Sequence, residues 1–321
     1  MASQNKNCSI VSYNLHGLKQ GQILLKDMLL YADLICVQEH WLASYDFNKL
    51  YNINNNFNVV CSSAVDNKIG HGILRGRPFG GLAIFIKNNT FKNVKTICKE
   101  ERFLIVVVDN IMIINIYLPC NNSDVSIDVF SAISNHIECR SNSVKHVVVC
   151  GDFNFQFKNC DPLYNVLNEF LIDNNLMCTD NFLPNAGVDE YTYCHDSLGH
   201  KSLIDHILVS NDLAHNVNSV FINHNGANLS DHSPVCLSLK LDLHVNLNEQ
   251  VSGSNVNSKL PLFHSLRWDK ADLPSYYEST RVNLIDIHNK LLNFDISDSL
   301  NNSNCNVHDA IEFFFSLLFK F

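Results

Sequence analysis

The stretch VVVCGDFN, residues 147–154, decides the reading of this chain: a fully apolar run breaks into glycine, a carboxylate and an amide. Three valines and a cysteine in succession predict a strand buried on both faces, and Gly151 reads as the point where the backbone turns at its end. That turn would deliver Asp152 and Asn154 to the rim of a sheet. Ligands of α/β proteins bind beyond the carboxyl ends of the strands, so an acid and an amide there point to a polar site on a rigid support. Taken alone, the same letters describe an ordinary strand exit. The functional reading rests on other apolar runs that end in the same way.

Working outward, residues 8–13 (CSIVSY) read as a strand ending in Asn14, and residues 33–38 (DLICVQ) as one ending in Glu39. Residues 103–108 and 111–117 read as a hairpin, because Asp109 and Asn110 suit a tight turn, and its second strand ends in Tyr117. Strands at 59–62 and 81–87 flank a Gly- and Arg-rich loop carrying Lys68, His71, Arg75 and Arg77, the notable cationic cluster of the first half. Residues 202–209 (SLIDHILV) contain Asp205, while 230–241 (SDHSPVCLSLKL) begin with their polar residues, Asp231 and His232. Helical apolar spacing predicts helices at 20–31, 125–137 and 162–174. Residues 1–244 then form the main domain. From about 246 the composition shifts to Asn and Ser, which predicts a linker over 245–260 and a partial, poorly defined helical extension over 261–321. That extension has a helical stretch at 276–292 and the apolar end AIEFFFSLLFKF, which is too short to span a bilayer.

At 321 residues with 46% apolar content, the chain can hold one large domain, or one domain plus part of a second. Its formal net charge of −9 disfavours tight, sequence-independent nucleic-acid binding through its own field. A cation or a local basic patch would have to offset it. The 12 cysteines include no CxxC pair, and Cys8, Cys36, Cys61, Cys150 and Cys236 sit in apolar runs. They read as buried thiols of a reducing, intracellular compartment. No signal-like start and no membrane-length apolar run is present.

The polar residues at strand rims are Asn14, Glu39, Tyr117, Asp152, Asn154, Asp205, Asp231 and His232. Four carboxylates gathered at one rim would repel one another unless a cation sat among them, and oxygen ligands of this kind favour Mg²⁺, with Mn²⁺ as a substitute. Zinc is disfavoured, since neither an HExxH pair nor zinc-type Cys spacing occurs. A hard cation beside a carboxylate base and a histidine suits attack by water on phosphorus.

Six segments, SYNLHGL (12–18), VQEHW (37–41), NIYLP (115–119), GDFN (151–154), LIDHIL (203–208) and SDHSPV (230–235), resemble in order those of the endonuclease/exonuclease/phosphatase superfamily, the DNase I-like fold. The resemblance implies a four-layer α/β/β/α sandwich of two mixed sheets packed face to face with helices outside. It also implies that Glu39 is the principal Mg²⁺ ligand, with Asn14 beside metal and phosphate and Asp231 at the metal or the leaving oxygen. In the same pattern Asp152 orients or deprotonates the attacking water, Asn154 steadies it, Asp205 pairs with His232, and Tyr117 donates to a phosphate oxygen.

Within the superfamily, the strand GGLAIFIK, the segment YTY that sets Thr192 ahead of Asp205 as a substrate contact, and the tail RWDKADLPSYY resemble the endonuclease of non-LTR (LINE-type) retrotransposon polyproteins. That likeness implies a Mg²⁺-dependent DNA endonuclease leaving a 3′-hydroxyl. Its partners would be DNA and, in the parent element, RNA or a reverse transcriptase. Nothing resembling the paired aspartates of a reverse transcriptase is present, so the chain reads as a detached or truncated element. It is expected to be monomeric, unattached to membranes and intracellular, nuclear when acting on DNA and cytoplasmic otherwise. Rival readings are an apurinic/apyrimidinic repair endonuclease or exonuclease, a phosphatase or lipid phosphodiesterase of the same fold, and a binding module or inactive relic.

Overall fold

A computed structural model describes residues 4–66, 69, 79–120, 122–157, 163–184, 190–195, 197–243 and 278. The strands along the chain are β1 (Gln4–Asn14), β2 (Leu34–Gln38), β3 (Phe57–Ser62), β4 (Leu82–Lys87), β5 (Val94–Lys99), β6 (Phe103–Val108) and β7 (Ile111–Tyr117). They continue with β8 (His146–Asp152), β9 (Leu176–Cys178), β10 (Tyr193–Cys194), β11 (Lys201–Ser202), β12 (Asp205–Ser210), β13 (Val217–Ile222) and β14 (Val235–Leu243). The longer helices are α1 (Leu18–Met28), α3 (Ser123–Glu138) and α4 (Tyr164–Asp173); α2 (Asn48–Tyr51) and α5 (Asn211–Ala214) are single turns.

Two six-stranded sheets result, in the orders β13-β14-β1-β2-β4-β3 and β5-β6-β7-β8-β12-β9. Every residue of β2, β6 and β12 is buried, which a strand shows only when both of its faces are covered. Alternate side chains go to different layers. Cys36, Val148, Cys150 and Ile207 join Ile10, Ile84, Val106 and Leu237 in the cluster between the sheets. Their neighbours Ile35 and Val37 cluster with Leu24, Leu25 and Met28 of α1, and Val147 and Val149 with Phe130, Ile133 and Phe170 of α3 and α4. The architecture is therefore the expected four-layer α/β/β/α sandwich. Each buried Val, Ile or Leu contributes roughly 1.5–3 kcal/mol, so this interleaving fixes strand register: slipping β8 by one residue would exchange its two apolar sets and re-aim Asp152.

Each sheet has one parallel pair, β1 with β2 and β7 with β8, connected through α1 and α3 respectively. Antiparallel neighbours flank them: β14 on β1, and β12 on β8. As a result the carboxyl ends of β1, β2, β7 and β8 share a rim with the amino ends of β12 and β14. Register places Asp152 opposite Tyr117 on one side and opposite Asp205 on the other.

The structure corrects several local expectations. Gly151 does not make the turn: it lies inside β8, paired with Ile116 and His206, and a Cβ there would sit 2.0 Å from the Ile116 carbonyl oxygen. Glycine is required by this close approach, and the turn comes later, where Asn154 adopts φ 56°. The predicted 202–209 strand is split, with Asp205 opening β12 instead of lying within it. Strands β5 and β13 were not expected because they are sheet edges that bury little, β5 being almost wholly exposed and β13 burying only Val220, and they lack an apolar alternation. Helix α1 stops at Met28, and Leu30 and Tyr31 are exposed in the turn beyond it. Lys68, His71, Arg75 and Arg77, the 245–260 linker, the 276–292 helix, the RWDKADLPSYY tail and the 310–321 segment lie outside the described residues, apart from Glu278. Cys8, Cys36, Cys61, Cys150 and Cys236 are buried, as their apolar runs imply. Among the described residues, no helix is long and apolar enough to cross a membrane.

Candidate active site

The eight rim residues form one connected set. Asn14, Asp152, Asp205 and His232 are buried and make its floor, whereas Glu39, Tyr117, Asn154 and Asp231 are partly exposed at its mouth. The Asn14 Nδ2 donates to both Glu39 Oε1 (3.0 Å) and Asp152 Oδ2 (2.9 Å), so one amide aligns two carboxylates. Asn154 closes a small ring: its backbone N–H donates to Asp152 Oδ1 (2.9 Å) and its amide to Asp152 Oδ2 (3.3 Å) and the Leu118 carbonyl (2.7 Å). The His232 Nδ1 lies 2.8 Å from Asp205 Oδ2, and its Nε2 lies 3.9 Å from Asp152 Oδ2. Tyr117 neighbours Glu39 at the mouth, close enough for the carboxylate to raise its phenol.

These contacts set the protonation states. Burial opposes charge on His232, but the carboxylates of Asp205 and Asp152 outweigh it and raise the imidazole pKa to about 10. The ring is an imidazolium at neutral pH, with Nδ1–H given to Asp205 and Nε2–H facing Asp152. Burial, followed by the charge of Asp205, raises the Asp152 carboxyl against the opposing pull of His232, Asn14 and Asn154. A carboxylate raised toward neutral pH can take a proton from water, as a general base must. Burial and the charges of Glu39 and Asp152 raise the Tyr117 phenol, which stays protonated and can donate.

Three of the assigned residues have further contacts. The Asn14 Oδ1 accepts the His16 N–H (3.0 Å), so this amide presents its N–H₂ to the site and aligns carboxylates. Asp231 is ion-paired with the His16 ring, whose hydrogen bond and the charge of His232 outweigh burial and hold its carboxyl low. Thr192 is fully buried, and its Oγ1 accepts the N–H groups of Ile204 (3.1 Å) and Asp205 (3.0 Å). It therefore anchors the start of β12 and does not reach the mouth.

Several partners went unassigned in the sequence although some lie inside the quoted segments. Trp41 donates its indole N–H to Glu39 Oε2 (2.8 Å), and Cys120 donates to Asn154 Oδ1 (3.0 Å). Ser230 ties the approach to β14 to the end of β1 at the rim: its hydroxyl donates to the Asn14 carbonyl (2.8 Å) and accepts the His232 N–H (3.1 Å). Among the described residues, four of the seven non-glycine residues with positive φ are at this rim: His16, Glu39, Trp41 and Asn154. Left-handed backbone at non-glycine residues is strained, and its concentration here marks a site over-determined by its surroundings.

The sequence profile of the Endonuclease/Exonuclease/phosphatase family matches residues 11–232. The chain belongs to this family. The match spans every rim residue, and the family's reactions are hydrolyses of phosphoester bonds. No curated protein matches the chain. Among solved structures it is similar to a 3′–5′ exonuclease from Neisseria meningitidis, with 17% identity, TM-score 0.58, and coverage of 73% of this chain and 100% of that one. It is also similar to an AP endonuclease from Archaeoglobus fulgidus, with 15% identity, TM-score 0.59, and coverage of 73% and 100%. A third is an AP endonuclease from Leishmania major, with 15% identity, TM-score 0.57, and coverage of 74% and 88%. At these identities the likeness is one of fold.

The donor set fits a divalent cation. Glu39 and Asp152 converge on a single amide, Asp205 Oδ1 is buried with no hydrogen-bond partner among the described residues, and Asp152, Asp205 and His232 gather within 4.8 Å, where the doubly protonated His232 offers no lone pair and the carboxylate oxygens are the ligands. A second grouping, Cys178, Asp180 and His206, is equally close. There the His206 nitrogens face two acceptors, Asp180 Oδ2 at 2.7 Å and the Phe155 carbonyl at 3.1 Å. A ring that donates at both nitrogens has no lone pair for a metal, so this is an ion pair beneath the 153–157 turn.

His40, next to Glu39, sets a pH limit on the fold. Its Nε2 lies 3.0 Å from the Ser62 carbonyl and its Nδ1 accepts the Leu42 N–H at 3.0 Å, so the neutral ring satisfies both nitrogens. Burial lowers its pKa to about 4, against the weaker pull of the Ser62 and Leu82 carbonyls. The folded value lies below the unfolded one of about 6.5, so this contribution to stability is intact above that pH and is lost as pH falls toward 4. In urea titrations, His40 is expected to remove about 2 kcal/mol of stability between pH 6.5 and 5, and His40→Asn to flatten that slope.

Proposed function

We propose that the protein is a Mg²⁺-dependent DNA endonuclease of LINE-type retrotransposon origin, which hydrolyses one phosphodiester to leave a 3′-hydroxyl. The observation that carries this reading is the single set, linked by hydrogen bonds and the His232–Asp152 charge contact, that joins Glu39, Asn14, Asp152, Asn154, His232 and Asp205 at the rim of the sandwich. The GGLAIFIK, YTY and RWDKADLPSYY segments support the retrotransposon origin.

Glu39, with the neighbouring Asp152 oxygen, would hold the cation, whose charge draws electron density from the phosphate and offsets the acidic rim. Asp152, aligned by Asn14 and Asn154, takes a proton from the attacking water as its oxygen bonds to phosphorus. The P–O3′ bond breaks on the opposite side, and the departing 3′-oxygen takes up a proton, with Asp231 placed to assist. His232 and Tyr117 donate to the non-bridging oxygens, where negative charge accumulates.

The full-length chain should convert supercoiled plasmid to open circles with Mg²⁺ and fail to do so in EDTA. It should also cut intact duplex about as fast as a matched abasic duplex. A strong abasic preference would indicate a repair enzyme, and phosphate release from inositol phosphates without DNA cleavage would indicate a phosphatase; either outcome rejects the proposal.

A further inference from the structure

We infer that Trp41 is a positioning residue that holds Glu39 in the orientation in which it receives the divalent cation. The inference rests on the metal-dependent reading above and concerns a residue outside the eight at the rim. Glu39 and Trp41 both have left-handed backbone, at φ 55° and 60°, in the turn after β2. Left-handed backbone at non-glycine residues is strained, so something must hold the turn. Its backbone is held by Trp41 N–H to the Gly80 carbonyl (3.1 Å) and by Gly17 N–H to the Glu39 carbonyl (2.8 Å).

The side chain is held by the indole, which donates to Glu39 Oε2 at 2.8 Å while Asn14 donates to Oε1 at 3.0 Å. Both oxygens are thus oriented, and each keeps a lone pair for the ion. The ring has little freedom to release its partner. A Cβ on Gly17 would lie 2.4 Å from Trp41 Cε3, and the His16 ring packs against the indole with centroids 5.2 Å apart. The chemical choice also matters. A lysine or arginine reaching Glu39 would neutralise it and compete with the cation, whereas an indole N–H fixes the carboxylate and leaves its charge intact. Partners of this kind, behind a ligand, typically change metal affinity 10- to 100-fold.

The test uses the full-length chain and Trp41→Phe, which keeps an aromatic ring and deletes the donor. Mn²⁺ binding, followed by the electron paramagnetic resonance of the free ion, should weaken about tenfold or more in Trp41→Phe. The Mg²⁺ concentration for half-maximal nicking should rise by a similar factor, with a smaller fall in maximal rate. Unchanged Mn²⁺ affinity in Trp41→Phe, alongside lost binding in Glu39→Ala, overturns the inference and leaves the metal-dependent reading standing. Unchanged binding in Glu39→Ala overturns that reading itself. A second measurement leaves Trp41 in place: in Trp268→Phe, which retains only this tryptophan, Mn²⁺ should quench the indole fluorescence, and absence of quenching rejects the proximity.

Discussion

Asp152→Asn is expected to abolish plasmid nicking, by about 10³-fold or more, and at the same time to raise the melting temperature measured in EDTA. The loss follows because an amide cannot accept the proton of the attacking water, a role worth roughly 10²–10⁴-fold. The gain follows from the sign of the protonation shift. Burial and the neighbouring Asp205 raise the Asp152 carboxyl above its ordinary value, so at neutral pH the folded state carries an anion it disfavours. A neutral isostere relieves this, with an expected rise on the order of 5 °C. His232→Gln should cost nicking about 10²–10³-fold by weakening donation to the phosphate, but with the opposite effect on stability. Its imidazolium is held between Asp205 and Asp152, and removing it leaves a buried carboxylate without its cation. Large activity losses in both variants with opposite melting shifts separate this mechanism from a merely structural role for the pair. A nicking Asp152→Asn protein would reject Asp152 as the base.

The other large effect is conformational. Gly151→Ala is expected to destabilise the fold by more than about 3 kcal/mol and to prevent accumulation of soluble protein, since the added Cβ would meet backbone and not a movable side chain. The Ile116 carbonyl oxygen would lie 2.0 Å away and its carbonyl carbon 2.8 Å away, in the parallel pair that carries both Tyr117 and Asp152. Gly226→Ala is the control: a Cβ there meets nothing within 4 Å, and urea unfolding should be near that of the parent. Comparable stability of the two variants would show that β7 and β8 are not as closely apposed as described.

The periodicity of the chain determined its layers. Runs such as LICV (34–37) and VVVC (147–150) are apolar at every step, which a strand tolerates only between two covers, and the spacing of Leu24, Leu25 and Met28 supplies one of them. The identity of the rim side chains was equally local, because polar residues interrupting such runs are visible without a structure. Tertiary structure alone decided how they meet. Asp205 and His232 come to the rim from the amino ends of antiparallel strands, opposite in sense to the exits of β1, β2, β7 and β8, and that register depends on pairing across long sequence separations. The edge strands β5 and β13 were invisible for a related reason: they bury too little to impose an alternation. The roles of Asn14, Thr192, His16 and Trp41 lie in which way an amide, a hydroxyl or a ring N–H points. Sequence can name those donors and acceptors, but their partners are chosen only when the sheets close and each buried group must be satisfied.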